Sequence, residues 1–346
     1  MLKGVSVSVI VPAYRAEKTI GRCLEALLGQ DYPKGSYEII VVDDGSPDKT
    51  GDIIKSFPVK YLRQSNSGPA TARNSGVGET KGEIILFTDS DCVPDRDWIS
   101  EMIKPFEDLD IAAVKGAYRT EQREVAARFS QIEFEERFEM LKKAASIDMI
   151  DTYSAGFRKE VFLKMGGFDT SFPAANNEDT ELSYRMSRAG FKMAFNPRAI
   201  VCHLNHPDSI KRYARLKFSR GYWRMIVYKS FPDKMMKDTY TPKSLKLEIL
   251  LLLVFFVCLP FASFYPRYGV YALLALSFMF LILTLPFTLF ALKRDPLIGP
   301  FIPALLLIRA SSLGLGALWS VTYSKKNRKN KGLEGYMKSF SKLDKK

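Results

Sequence analysis

Two uncharged apolar runs, Ile249 to Pro266 and Tyr268 to Leu292, constrain this chain more than any other stretch. At 18 and 25 residues, both reach the ~20 needed to cross a bilayer, and two adjacent runs this long rarely fit a soluble core. A third apolar segment, Leu297 to Ser320, contains Pro300, Pro303 and a central Arg309. A mid-bilayer arginine costs at least ~2.5 kcal/mol. The Lys293-Arg294 loop and the tail after Tyr323 are both basic, which favours the cytoplasmic side for each. Two crossings satisfy that and three do not. The expected layout is therefore two transmembrane helices over 245–292, an interfacial or re-entrant segment over 293–320 with a third crossing as the alternative, and a basic cytoplasmic tail over 321–346.

Charge supports a membrane setting. The chain has 346 residues and a net charge of +13. Pro207 to Ser230 contributes +6 of this and Val321 to Lys346 contributes +7, so the remainder is neutral. These two basic pieces bracket the apolar region, as expected for contact with anionic membrane lipids. No nucleic-acid recognition motif accompanies the charge, so nucleic acid is not an expected partner. The cysteines Cys23, Cys92, Cys202 and Cys258 have no paired spacing, which argues against a disulfide framework or a zinc site. The opening MLKGVSVSVIVPAY reads as a β-branched strand rather than a targeting segment.

The first two hundred residues alternate strand and helix patterns. Buried strands are expected at 5–11 (ended by Pro12), through EIIVVDDGS, at Val59–Leu62 and from Ile84. Helices are expected at 17–28, 48–57 and 71–80. Alternation of this kind implies βαβ units and a largely parallel sheet. Further helices are expected at 126–145, 159–165 and 179–189, with a strand or loop around 152–157 and a strand over 192–202 interrupted by Pro197.

The stretch EIILFTDSDC runs an apolar strand into Asp89 and Asp91. If the strand continues, both carboxylates project from one face at its carboxyl end, where open α/β sheets place ligands. Such a pair suits a hard divalent ion that bridges phosphate oxygens. Pro12-Ala13-Tyr14 can set backbone groups and an aromatic ring against a nucleobase. Gly45 permits a tight turn after the second strand. The segment from Ser67 to Asn74 is a loop entering a helix, a favourable position for anions. Glu178-Asp179 opens another helix, where a carboxylate is either a cap or a functional acid.

Taken in order, VIVPAY, EIIVVDDGSPDKT, NSGPATARN, FTDSDC and GGFDTSF…NNEDTELSYRM resemble family 2 glycosyltransferases of the GT-A fold, over residues 5 to about 205. The resemblance implies an α/β catalytic domain over 1–206, followed by C-terminal transmembrane helices. It implies a nucleotide diphosphate sugar donor, with uridine the usual base and guanosine the alternative. It assigns donor contacts to Pro12, Ala13, Tyr14, Glu17, Asp43, Gly68, Arg73, Asp89 and Ser90, with Asp43 at the base edge and Asp89 at the ribose. It assigns the divalent cation, Mn or Mg, to Asp91, with Asp89 and His203 as further ligands. The general base of an inverting reaction falls to Asp179, with Glu178 as the alternate. Gly167, in the GGFD turn, would shape the sugar and acceptor pocket.

Residues 207–244 read as a basic amphipathic interfacial helix and linker. Within it, Arg220, Trp223 and Arg224 are candidates for gripping a lipid-linked phosphate. The text there departs from the Q-x-x-R-W motif of processive polysaccharide synthases, which argues against polymer synthesis. The expected enzyme is a multi-pass membrane glycosyltransferase with its catalytic domain on the cytoplasmic face, acting on a polyprenyl-linked acceptor. The alternatives are a polyprenyl-phosphate mannose or glucose synthase and a catalytically silent membrane scaffold.

Overall fold

The computed structural model describes residues 7–172 and 177–326. The strands are β1 (Val7–Ala13), β2 (Tyr37–Asp43), β3 (Lys60–Arg63), β4 (Ile84–Phe87), β5 (Cys92–Pro94), β6 (Ile111–Arg119), β7 (Ala155–Arg158) and β8 (Lys192–His203). They form one eight-stranded sheet of order β3-β2-β1-β4-β7-β6-β8-β5. The β3-β2-β1-β4 half is wholly parallel, and antiparallel β7 joins it to the parallel pair β6 and β8. This is the mixed, mostly parallel α/β architecture expected of a GT-A domain.

The catalytic-domain helices are α1 (Ile20–Leu28), α2 (Thr50–Lys55), α3 (Pro69–Gly78), α4 (Trp98–Ile103), α5 (Val125–Leu141), α6 (Lys159–Lys164) and α7 (Glu178–Arg188). Four-residue runs such as Ile84–Phe87 are completely apolar because helices cover both faces of the parallel sheet. β1 continues through Pro12 rather than stopping there. Its pairing with β4 ends at Ile10, so Pro12 lies where the strand is one-sided, a situation that tolerates proline. Proline at 197 coincides with a register shift between β6 and β8.

After β8 come α8 (Ile210–Ser230), α9 (Pro232–Met236), α10 (Lys243–Phe264), α11 (Pro266–Arg294) and α12 (Ile302–Lys326). Three segments are long and apolar enough to cross a membrane: Lys243–Phe264, Pro266–Arg294 and Pro296–Val321, with mean hydropathies of 2.5, 2.3 and 1.8. The third segment differs from the other two in its surroundings. α12 runs beside α8, and its Ile302, Leu305 and Leu306 pack with Phe129 of α5 and Tyr213 of α8. A Cβ added at Gly221 would lie 2.3 Å from the carbonyl oxygen of Leu313, and one at Gly316 would lie 2.1 Å from that of Phe218. The two helix backbones are therefore in direct contact, an approach that only small residues permit.

Arg309, the apparent obstacle in the third segment, is buried and paired. Its Nη2 lies 2.7 Å from Glu248 Oε2 and its Nη1 lies 3.7 Å from Glu133 Oε1. Glu248 belongs to the second turn of α10, beside the catalytic domain, so the arginine sits near that helix end rather than at mid-span. The end of α11 is held as well. Arg294 pairs with Glu135 and Glu139 of α5, and Asp295 with Arg128.

Candidate active site

The connections leaving β1 and β4 diverge to opposite halves of the sheet, which opens a crevice at their carboxyl ends. Pro12 and Ala13 close β1 there, and Tyr14 is 45% exposed with the Arg15 guanidinium 5.4 Å from its ring. Glu17 accepts a hydrogen bond from the Lys49 amide, which ties the start of α1 to the turn before α2. At the end of β2 the two acids have different tasks. Asp44 accepts from Gln64 Nε2 and from the amides of Ser67 and Gly68, so it anchors the loop into α3. Gly68 adopts φ 90°, a conformation suited to glycine, at the entry to that helix. Asp43, expected at the base edge, is fully buried, and its two oxygens accept from the Ser46 amide and the Tyr61 hydroxyl. Each oxygen keeps a second lone pair, so burial rather than lack of acceptor capacity limits its access to a ligand. Beside it, Gly45, Arg63, Gln64, Ser65 and Asn66 line an open polar hollow of ≈ 520 Å³.

The aspartates after β4 are not on the strand. β4 stops at Phe87, and the Cys92 amide donates to the Asp89 carbonyl across a turn. The alternation argument therefore fails, and the turn sends the two carboxylates to different partners. Asp89 receives Arg73 Nη2 at 2.8 Å, while Asp91 lies with Cys92 and His203, their ligand atoms within 4.8 Å of one another. Strand pairing produces the second grouping, because Cys92 of β5 stands opposite His203 of β8. Ser90 is partly exposed between the two acids.

The Asp91 carboxylate suits either Mn²⁺ or Mg²⁺, and an imidazole nitrogen from His203 fits the transition metal Mn²⁺ better than the harder Mg²⁺. Cys92 does not add to that set. Its thiol is fully buried, and burial together with Asp91 and Asp89 pushes its pKa well above the usual range, so it remains protonated. Asp89 is occupied by Arg73. His203 Nδ1 accepts from the Asn205 amide at 3.2 Å, so coordination through that nitrogen would exchange the amide hydrogen for the ion.

Arg73 reaches across the crevice. Besides Asp89, it donates through Nη1 to Glu178 Oε1 at 2.8 Å, in almost complete burial. Glu178 thus serves the arginine, and the neighbouring Asp179 is left as the acid with freedom to react. Burial, then Glu178, then Asp151 push the Asp179 carboxyl up to about 7. Its only hydrogen bonds among the described residues come from the Thr180 amide and hydroxyl. Asn177, immediately before Glu178, holds φ 68°, an uncommon conformation that asparagine tolerates better than most residues.

The residues that tune this acid escaped the sequence reading. Lys115, in the middle of β6, is fully buried against Asp151 and donates to the Tyr153 hydroxyl at 2.9 Å. Tyr240 donates to the other Asp151 oxygen at 3.3 Å. The available signal was a lysine inside the apolar run IAAVKGAY.

Gly167 holds φ 71°, and a Cβ there would meet Asn74 Oδ1 at 2.7 Å. Asn74 clamps the next residue, accepting from the Phe168 amide and donating to its carbonyl. Adjacent residues of α3 therefore fix the GGFD turn and join the two acidic motifs. On α8, Arg224 donates to the Tyr184 hydroxyl at 3.2 Å, and the Trp223 ring lies 5.6 Å from that of Phe172. Arg220 lies over the Phe134 ring at 5.7 Å and has no acidic partner among the described residues.

Comparison with known proteins agrees with this fold. Residues 8–166 match the family described as Glycosyl transferase family 2. Glycosyltransferase AglE of Haloferax volcanii is 27% identical over 207 residues, covering 58% of this chain and 67% of AglE. A Methanococcus voltae enzyme, dolichyl N-acetyl-alpha-D-glucosaminyl phosphate 3-beta-D-2,3-diacetamido-2,3-dideoxy-beta-D-glucuronosyltransferase, is 25% identical over 235 residues, covering 62% of this chain and 71% of that one. The structure of mannosyltransferase PcManGT from Pyrobaculum calidifontis, in complex with GDP-Man and Mn²⁺, shares the fold with a TM-score of 0.59. It is 19% identical and covers 92% of this chain and 87% of its own. With the sheet, the DSD turn and the Glu178-Asp179 pair assembled around one crevice, residues 8–166 form a glycosyl transferase family 2 domain, and the chain is a glycosyltransferase with C-terminal apolar helices that fit a membrane anchor.

Proposed function

We propose that this enzyme transfers a sugar, with inversion, from a nucleotide diphosphate sugar to a hydroxyl of a polyprenyl-linked glycan at the cytoplasmic face. 

Put plainly, the donor is a nucleoside diphosphate sugar, and the acceptor is a sugar hydroxyl on a glycan carried by a polyprenyl phosphate or diphosphate. The observation that carries this reading is Arg73, which joins Asp89 of the DSD turn to Glu178 beside Asp179 and so ties a donor-side motif to an acceptor-side acid.

In this reading the base lies against Tyr14 and the polar hollow, and Gly68 at the start of α3 faces the diphosphate. Asp91 and His203 would hold a divalent cation, which supplies charge neutralisation to the leaving diphosphate. Asp179 takes the proton from the acceptor hydroxyl. The hydroxyl oxygen bonds to the anomeric carbon as the bond from that carbon to the diphosphate oxygen breaks. A carboxyl poised near 7 suits this step, because it is basic enough to accept a proton yet largely ionised just above neutrality. A bare polyprenyl phosphate is already anionic and has little need of such a base, so Asp179 favours a hydroxyl acceptor. The lipid named in the Methanococcus voltae relative supports the same acceptor class.

In the membrane, α10 and α11 cross while α12 lies at the interface beside α8, a reading supported by the pairing of Arg309 with the second turn of α10. The test is a panel of UDP- and GDP-sugars with Mn²⁺ or Mg²⁺, scored for nucleotide release with and without polyprenyl-linked glycans. Release that depends on such an acceptor, and is lost in D179N, is expected. Release unchanged by D179N with polyprenyl phosphate alone would favour the lipid-phosphate synthase.

A further inference from the structure

Arg137, on α5, is buried without an ion pair among the described residues. It is 8% exposed, and its Nε and Nη1 have no hydrogen-bond partner among those residues. A guanidinium in that state is costly unless a ligand completes it, and native structures rarely leave such groups unmet. Aromatic rings hold it in place, with Phe134 at 4.9 Å and Tyr240 at 5.0 Å. Arg220 of α8 approaches the same Phe134 ring at 5.7 Å and likewise has no acidic partner among the described residues.

The nearby acids are already engaged. Glu133 is held by Lys217 at 2.7 Å and by the Tyr213 hydroxyl, and Asp151 by Lys115 and Tyr240. Glu136 is the remaining acid facing Arg137, and it makes no ion pair with it. The two cations thus converge on the Phe134 ring, between α5, α8 and Tyr240 of the linker to α10. Both are electrostatic neighbours of Asp151, which is itself a neighbour of Asp179, and Glu133 of the same helix approaches Arg309 of the apolar segment α12.

We propose that Arg137 and Arg220 bind the phosphate of the lipid-linked acceptor. This rests on the acceptor class proposed above and adds a site for its anionic group. Paired guanidinium groups match phosphate oxygens with several directed donors. A lipid phosphate is favoured over a free anion because α5, which carries Arg137, packs against the apolar helices α11 and α12 through Phe129 and Glu133.

The test measures binding of farnesyl phosphate, farnesol and inorganic phosphate to the full chain in detergent, with nucleotide-sugar binding followed separately. Wild type should bind farnesyl phosphate at least tenfold more tightly than farnesol or inorganic phosphate. R137Q and R220Q should each erase about tenfold of that preference without altering farnesol binding, while K229Q, at an exposed basic position on α8, should not. R137K, which keeps the charge, and the half-buried R220Q guard against misfolding of R137Q. Equal affinity for inorganic and farnesyl phosphate would overturn the lipid assignment. Preference unchanged in both R137Q and R220Q, with donor binding intact, would overturn the site while leaving the proposed function standing. Absence of donor binding in wild type would instead remove the function on which the site rests.

Discussion

Arg73 and Glu178, 105 residues apart in sequence, meet at 2.8 Å inside the protein, and the same guanidinium holds Asp89 at 2.8 Å. One buried cation therefore sets the distance between the two acidic motifs. Replacing it with glutamine leaves Glu178 buried without its partner, a loss of about 3–5 kcal/mol for a pair of this kind. R73Q should lower the thermal midpoint and reduce turnover by at least about a hundredfold. A denaturation scan alongside single-turnover kinetics checks both, and R73K should recover stability better than activity.

The pH dependence follows from Asp179. Its carboxyl is raised to about 7, so the ionised base is lost as pH falls through that value, and kcat/KM should decline on the acid side with a midpoint near it. The linkage to stability has the opposite sense. A carboxyl raised on folding favours the folded state while protonated, and this contribution is lost as pH rises from the unfolded value of about 4 through 7. D179N should therefore be inactive yet melt above wild type at pH 8, with the gap closing toward pH 4. Thermal scans across that range test the sign.

The Asp91 and His203 pairing makes a prediction about metal. Chelation should abolish transfer, and added Mn²⁺ should restore it. H203A should need about 10–100-fold more cation for half-maximal rate, and D91N more still. C92S should leave the requirement unchanged, because the buried thiol stays protonated. A metal titration of each variant decides the matter, and an unaltered H203A would remove the histidine from the site.

At the membrane side, E248Q and R309Q should each destabilise the chain in detergent by about 3–5 kcal/mol, since each strands a buried charge. The double replacement E248L/R309L should be milder than the sum, which a double-mutant cycle measures.

Much of the donor half was legible in advance because parallel strands buried on both faces leave uninterrupted apolar runs, as at Val9–Val11 and Ile39–Val42. β6 was missed because Lys115 breaks its run, and only Asp151, distant in sequence, makes that lysine tolerable. The DSD motif stands out in the sequence at the end of an apolar strand, but its geometry does not, because nothing local shows that β4 ends at Phe87. Asp179 was the expected base with Glu178 as the alternate, and the pairing of Glu178 with Arg73, distant in sequence, had no local signal. The same limit applied to Arg309, whose partner Glu248 lies 61 residues away and cancels a cost that local hydropathy counts in full.

The glycine contacts between α8 and α12 have a mechanical consequence. With Gly221 seated on Leu313 and Gly316 on Phe218, there is no slack in which the catalytic domain could rise or tilt relative to its anchor. On the proposed membrane reading, the reaction centre is thus held at a set elevation over the lipid surface. A lipid-linked glycan would then be gauged by how far its terminal hydroxyl stands above the bilayer, and one residue too few or too many would present the wrong rung of the ladder.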